Sequence, residues 1–211
     1  LKDISNIRRH DAIKELMKVL AAWSSKFMDK TSIMSALSIK KPTFDSYFSI
    51  LQNMFLVDTV SPWLKTDYEY VSKKPKIFMS DTGLMAEILG WNLDQIEFDQ
   101  DKCGKLIETF VHNQLVAEID ACSGKFFLYQ YRDSEKREID FVIQNRNNDI
   151  LAIEVKSGSN VSGDSFKHIK WFREKMSKKM NEFVGIVLYT GRNIAKFGDN
   201  LWAIPMDALW K

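Results

Sequence analysis

Three charged side chains stand inside two otherwise apolar, strand-like stretches, and their types and spacing suit work on a phosphate. REIDFVI, residues 137–143, carries Asp140, and ILAIEVKS, residues 150–157, carries Glu154 and Lys156. A strand tolerates buried charge when it is paired, metal-bound or solvated through a cleft, because bare desolvation costs several kcal/mol or more. Strand alternation sends Ile139, Phe141 and Ile143 to one face and Asp140, with Glu138 and Val142, to the other. Ile153 and Val155 likewise share one face, and Glu154 and Lys156 the opposite one. If the two strands are neighbours, Asp140 meets Glu154 and Lys156. Two carboxylates so close repel, and one pKa rises unless a cation sits between them. A divalent ion removes the difficulty: Mg²⁺ is commonly held by one or two carboxylates and keeps waters that phosphate oxygens displace. A lysine beside it orients a water or stabilises charge developing on phosphate. The competing reading is a structural salt bridge within the sheet.

The elements that must position these groups follow in the order αβββαβ. GKLIETFVHNQLVAEI reads as an amphipathic helix, KFFLYQYR, REIDFVIQ and DILAIEVKS as three strands, and DSFKHIKWFREKMSKK as a second helix. EFVGIVLYT and the short LWAIP complete a mixed sheet, so residues 103–211 are expected to form an α/β sandwich.

Residues 1–90 read differently. DAIKELMKVLAAW, DKTSIMSALS and KKPTFDSYFSILQNMFLV have helical spacing, the third with Pro42 near its first position and Phe44, Tyr47, Phe48, Leu51 and Phe55 on one face. LVDTVSPW reads as a polar interruption and YEYVSKKPKIFM as an appended β-hairpin, together a winged helix-turn-helix. SDTGLMAEILG closes the segment as a short helix capped by Ser80 or Asp81, with Gly90 just past its end. Residues 91–102, polar and turn-rich, are expected as a linker.

An acidic residue on one strand and Glu-x-Lys on the next, within αβββαβ, resembles the PD-(D/E)xK nuclease superfamily. The resemblance implies that Asp140 and Glu154 ligate Mg²⁺ or Mn²⁺ and that Lys156 positions water. It also implies that Glu108, on the first core helix with His112, Leu115 and Ile119, supports the metal. Ile139 stands where the literal motif has proline. The ordered set of winged helix, KPKIFMSDTGL, GKLIETFV, REIDFVI and IEVKSG is similar to the C-terminal region of a bacterial and archaeal group of AAA-type ATPases, a region catalogued as a domain of unknown function. That implies an ATPase domain in the same parent polypeptide, and ATP only through it. No G-x-x-x-x-G-K-[ST] occurs here; Gly104-Lys105 has no upstream glycine partner. The chain opens at Leu1 without Met, which fits a piece of something longer. The activity implied is metal-dependent phosphodiester hydrolysis of DNA; the alternative is a non-catalytic DNA- or protein-docking module with a degenerate nuclease fold.

The totals bound the rest. At 211 residues, 45% apolar and 27% charged, the chain is an ordinary globular protein. A net charge of +2 excludes a global basic field, so any nucleic-acid surface is local. Such a patch would use Lys40 and Lys41 at the start of the third helix, Lys73, Lys74 and Lys76 on the wing, and Lys167 and Lys170 on the last helix. The third helix otherwise offers Thr43, Asp45, Ser46, Ser49 and Asn53, with no arginine to read guanine, so base-specific readout is not expected. Cys103 and Cys122 form no framework and suit a reducing cytoplasm. No apolar run reaches the roughly 18 residues of a membrane span. His10, His112 and His168 are too scattered for a metal cluster; His112 is expected in a structural role, paired at most with Glu108.

Overall fold

The computed structural model describes residues 10–63 and 74–210. Four helices come first or nearly so: α1 (His10–Ala22), α2 (Lys30–Leu37), α3 (Lys41–Asn53) and, after the strands β1 (Val57–Pro62) and β2 (Lys76–Met79), α4 (Thr82–Leu89). Asp29 and Asp81 cap α2 and α4 by accepting from backbone amides, and Gly90 ends α4 in the left-handed region at φ 63°. Leu16, Leu20, Ile33, Phe44, Leu51 and Met85 fill a buried cluster among these helices. Phe55 does not join the apolar face of α3. The helix ends at Asn53, Phe55 turns at φ 56°, and its ring is exposed.

The stretch expected as a polar interruption is strand β1, antiparallel to β2. Both faces of the strand find cover: Val57 packs in the cluster among the helices and Val60 on the sheet face beneath the helix Gln100–Ala121, while Asp58, Thr59 and Ser61 are not fully buried. Of YEYVSKKPKIFM, expected as a β-hairpin, residues 68–73 lie outside the described residues and Lys76–Met79 form β2. The hairpin that β2 makes with β1 joins a larger sheet, β1 also pairing in parallel with β3 through Ser61–Tyr129 and Pro62–Gln130. Residues 91–102, expected as a linker, carry α5 (Leu93–Phe98) and the first turn of α6 (Gln100–Ala121).

The second half runs α6, β3 (Phe126–Arg132), β4 (Glu138–Asn145), β5 (Ile150–Lys156), α7 (Lys167–Met176), β6 (Phe183–Tyr189), β7 (Ala195–Gly198) and β8 (Leu201–Pro205). The class is α/β, as the sequence pattern implies, but among the described residues the mixed sheet has eight strands in the order β2-β1-β3-β4-β5-β6-β8-β7 and draws on both halves of the chain. One face, beneath α7, buries Ile139, Val142, Phe172 and Val187. The other lies beneath α6, where Val60 and Phe78 from the hairpin pack with Val111, Leu115, Phe141 and Ile153. Among the described residues no helix is long and apolar enough to cross a membrane.

Gly185 on β6 lies against Ile169 of α7 and Leu201 of β8. A Cβ there would stand 2.5 Å from Ile169 Cγ2 and 2.6 Å from Leu201 Cδ2, well inside van der Waals contact. Gly185→Ala is therefore expected to lower the unfolding free energy by about 1–3 kcal/mol through overpacking, measured by urea denaturation.

Candidate functional site

The β3–β4 register shifts between Tyr129 and Tyr131: Tyr129 faces Val142, yet Tyr131 faces Ile139, leaving Asp140 and Phe141 opposite Gln130 alone. This bulge corrects the alternation expected for REIDFVI. Ile139 and Phe141 lie on opposite faces of the sheet rather than the same one, and Asp140 is re-aimed, the usual effect of a bulge. On its other side β4 pairs with β5 up to Phe141–Ile153. Past that pair the Asp140 side chain continues the contact, Oδ2 accepting from the Val155 amide at 2.9 Å. Glu154 and Lys156 follow on β5, Lys156 Nζ donating to Glu154 Oε1 at 2.8 Å.

Glu108 reaches the same place from α6, and so does a residue that sequence reasoning puts on a DNA-facing wing. Lys76 is 3% exposed, and its Nζ donates to Glu108 Oε1 at 2.7 Å and Asp140 Oδ1 at 3.2 Å. Its backbone is pinned by neighbours: Met28 N donates to Pro75 O, and Ser25 N to Ile77 O, each at 2.7 Å. The Glu108, Asp140 and Glu154 side chains are only 13–17% exposed, whereas Lys156 is 41% exposed. A sequence signal for Lys76 does exist. Lys76 alternates onto the face of Phe78, and three converging acids need more positive charge than Lys156 alone supplies.

Burial pushes the Glu108 carboxyl up to about 7, helped by the Asp140 charge and opposed by Lys76. Burial and the Asp140 charge likewise push Glu154 up to about 8, against the pull of Lys156. Burial alone would lower the Lys76 ammonium, but Asp140 and Glu108 outweigh it and hold the group above its ordinary value. The cluster thus contains three acids and two fixed ammonium groups, and the proton that balances it belongs to the acids. Glu154 Oε2 is buried without a hydrogen-bond partner, so no donor offsets the cost of charge on that oxygen.

These residues do not fit the metal that the nuclease resemblance implies. The space between Glu108 and Asp140 holds an ammonium, Glu154 is bonded to a second one, and among the described residues no three His, Cys, Asp or Glu side chains gather in a metal-holding arrangement. Three of the lysines expected on DNA, Lys41, Lys74 and Lys76, are engaged in ion pairs. Lys41 and Lys30 both bridge to Asp45, and Lys74 bridges to Asp29. Lys40 and Lys167 are exposed and Lys170 is half-buried; Lys73 lies outside the described residues.

One turn beyond Glu108, His112 is not paired with that glutamate. It stacks on Phe78, with ring centroids 4.2 Å apart, and faces Asp58 and Asn113. Ser24 Oγ and Thr109 Oγ1 lie 2.7 Å apart in the interior, a second polar tie between the first half and α6.

Residues 1–95 match the profile of a family described as Domain of unknown function (DUF8612). Two curated relatives, Uncharacterized protein Rv2008c of Mycobacterium tuberculosis and Uncharacterized protein Mb2031c of Mycobacterium bovis, are each 25% identical over 127 residues, or 60% of this chain and 28% of theirs. A solved half-complex from the tetradecameric assembly of Thermococcus gammatolerans McrB AAA+ hexamers with bound McrC aligns with 92% of this chain and 71% of its own. The identity is 11% and the TM-score 0.37, too loose a likeness to assign a fold. Residues 103–209, which contain Glu108, Asp140, Glu154 and Lys156, match a family profile across half of the chain, and the chain belongs to that family, described as Domain of unknown function (DUF4143).

Proposed function

We propose that the chain is a docking and regulatory module without catalytic activity of its own, carried on an AAA-type ATPase polypeptide and built on a nuclease-like α/β domain. The observation that carries this reading is the buried Lys76 ammonium bridging Glu108 and Asp140. A hydrolytic site needs its acids open to a cleft and a metal; here they are covered and mutually bonded. The bridge also ties the hairpin to α6 and β4, so the acid set acts as a latch between the two halves. The ATPase connection is supported by the ordered motifs of the sequence, and the matched segment is a small part of longer relatives. A protein partner is favoured over DNA because Asp45 and Asp29 hold three of the lysines on the helix-turn-helix side in ion pairs.

A second reading, Mg²⁺- or Mn²⁺-dependent phosphodiester hydrolysis of DNA, keeps one supporting observation: the Lys156 side chain beside Glu154 is partly open to solvent. It requires the Lys76 ammonium to leave the acid pair. The two readings separate on supercoiled plasmid with Mg²⁺ or Mn²⁺. The expected result is that the wild type nicks no faster than Asp140→Asn. Nicking by the wild type that both Asp140→Asn and Lys156→Ala abolish would establish the second reading instead.

A further inference from the structure

We propose that the hollow beside Phe27 is a docking site for one acidic side chain of a protein partner, held by the Arg132 guanidinium and the Lys26 ammonium. The occupant rests on the docking reading above; the surface and the chemistry that it selects go beyond that reading.

The site is built where a turn lies along a sheet edge. After α1 the chain passes through Ser25, at φ 65°, and runs beside β2. Ser25 N donates to Ile77 O at 2.7 Å, Ile77 N to Lys26 O at 3.0 Å, and Met28 N to Pro75 O at 2.7 Å. These bonds set Phe27 next to Lys76. The Phe27 ring meets the Lys76 ammonium at 5.5 Å and the Arg132 guanidinium carbon at 4.6 Å. Arg132, at the end of β3, is the register partner of Glu138, at the start of β4. A hollow of about 470 Å³ opens among these residues, with Trp23, Lys26 and Lys74 completing its wall.

The hollow holds more positive charge than its own acids answer. Glu138 Oε1 meets Arg132 at Nε, 3.1 Å away. A guanidinium carries five N–H donors in a flat fork, so one such contact leaves most of them unused. The cation–π contact with Phe27 fixes where that fork stands. Lys26 is exposed and has no acidic partner among the described residues. Lys74 is already paired with Asp29 at 3.2 Å. Three cations, Lys26, Lys74 and Arg132, thus stand against two acids, Asp29 and Glu138.

One carboxylate closes that balance. It can take two donors of the Arg132 fork at once, the strongest geometry for such a pair, with Lys26 beside it. Trp23 and Phe27 give the methylene stem of the incoming side chain an apolar wall. A phosphodiester chain suits the hollow less well, because Asp29 and Glu138 repel each further negative charge. Arg132 and Glu138 are 35% and 34% exposed, so the carboxylate enters without opening the core.

The test is a ¹H–¹⁵N correlation titration of the chain with capped glutamate (N-acetyl, C-methylamide). Capped glutamine is the uncharged control and inorganic phosphate the competing anion. Capped glutamate is expected to shift the Ser25, Lys26 and Phe27 amides and the Arg132 Nε–H signal saturably, and capped glutamine to leave them in place. Lys26→Gln is expected to raise the dissociation constant about two- to fivefold, and Arg132→Gln about tenfold or more. Lys41→Gln, whose ammonium pairs with Asp45 on α3, is expected to change nothing. Lys26→Gln, at an exposed position, keeps the test decisive if Arg132→Gln does not fold. The proposal is overturned if capped glutamate gives no saturable shift, if capped glutamine moves the same signals as far, or if both folded variants bind as the wild type does. Phosphate that binds more tightly and displaces capped glutamate would overturn the carboxylate assignment. The two readings fail separately: plasmid nicking by the wild type overturns the docking reading and leaves these signals where they are, whereas absent shifts without nicking overturn this site alone.

Discussion

Lys76→Met is expected to lower the unfolding free energy by about 3–5 kcal/mol, the cost of leaving buried charge uncompensated. Methionine keeps much of the volume of lysine and removes the ammonium, so the loss reads out the ion network rather than a cavity. Two hydrogen bonds vanish, to Glu108 and to Asp140, and the two acids then face each other with nothing between them. The companion variant separates a latch from an accident of packing. Lys76→Met combined with Glu108→Gln and Asp140→Asn removes charge from all three partners and is expected to recover most of the loss, because neutral replacement of a whole buried network is often tolerated where breaking it is not. The side-chain amide that Asp140→Asn introduces still offers an oxygen to the Val155 N–H, which the wild-type carboxylate bonds. Urea denaturation of the wild type, the single variant and the triple variant measures both steps. A single variant as stable as the wild type would mean that the bridge contributes nothing.

The second large effect is a pH dependence. Glu108 is pushed up to about 7 and Glu154 to about 8, from an ordinary value of 4.5, chiefly by burial and then by the Asp140 charge. A carboxyl raised on folding binds its proton more tightly in the native state. Between pH 4.5 and 8 the folded protein therefore holds more protons than the unfolded one, and stability falls as pH rises through that interval. The contribution is complete below the ordinary carboxyl value and gone above about pH 8. Most of that loss falls between about pH 5 and pH 9, because both raised values lie inside that interval. Glu154→Gln tests the assignment, since an amide resembles the protonated carboxyl at every pH. It is expected to flatten the profile and to exceed the wild type in stability at about pH 9, by about 2 kcal/mol or more. Lys156, released from Glu154, turns to solvent at modest cost because it is already partly exposed. A wild-type profile that is flat or rising from about pH 5 to pH 9 would contradict this.

The chemistry-bearing strands were legible because charge in an apolar strand demands a partner, and Asp140, Glu154, Lys156 and Glu108 do converge. What fills the cluster was legible only in part: alternation puts Lys76 on the face of Phe78, but nothing local says which acids it meets. Carboxylates in contact call equally for a metal or for an ammonium, and the nearest ammonium in space, Lys76, lies 32 residues from Glu108 and 64 from Asp140 in sequence. In KPKIFM it looks like a surface lysine at the start of a strand. Alternation likewise failed at Asp140, because a bulge shifts the register where β4 faces Gln130. β1 was missed because Asp58, Ser61 and Pro62 favour turns. Their strand is stabilised by β2 and β3, partners that a local reading does not see. The expected boundary near residue 90 followed composition, whereas the sheet and the core beneath α6 follow apolar faces that both halves supply.

The central claim, that an internal ammonium stands where a nuclease would hold its metal, is tested most directly by Mn²⁺ calorimetry on the wild type, Asp140→Asn and Glu154→Gln. The expected result is that the wild type shows no Mn²⁺ binding that either substitution removes. One Mn²⁺ bound by the wild type and lost in both variants would contradict the claim and restore the hydrolytic reading of Asp140, Glu154 and Lys156.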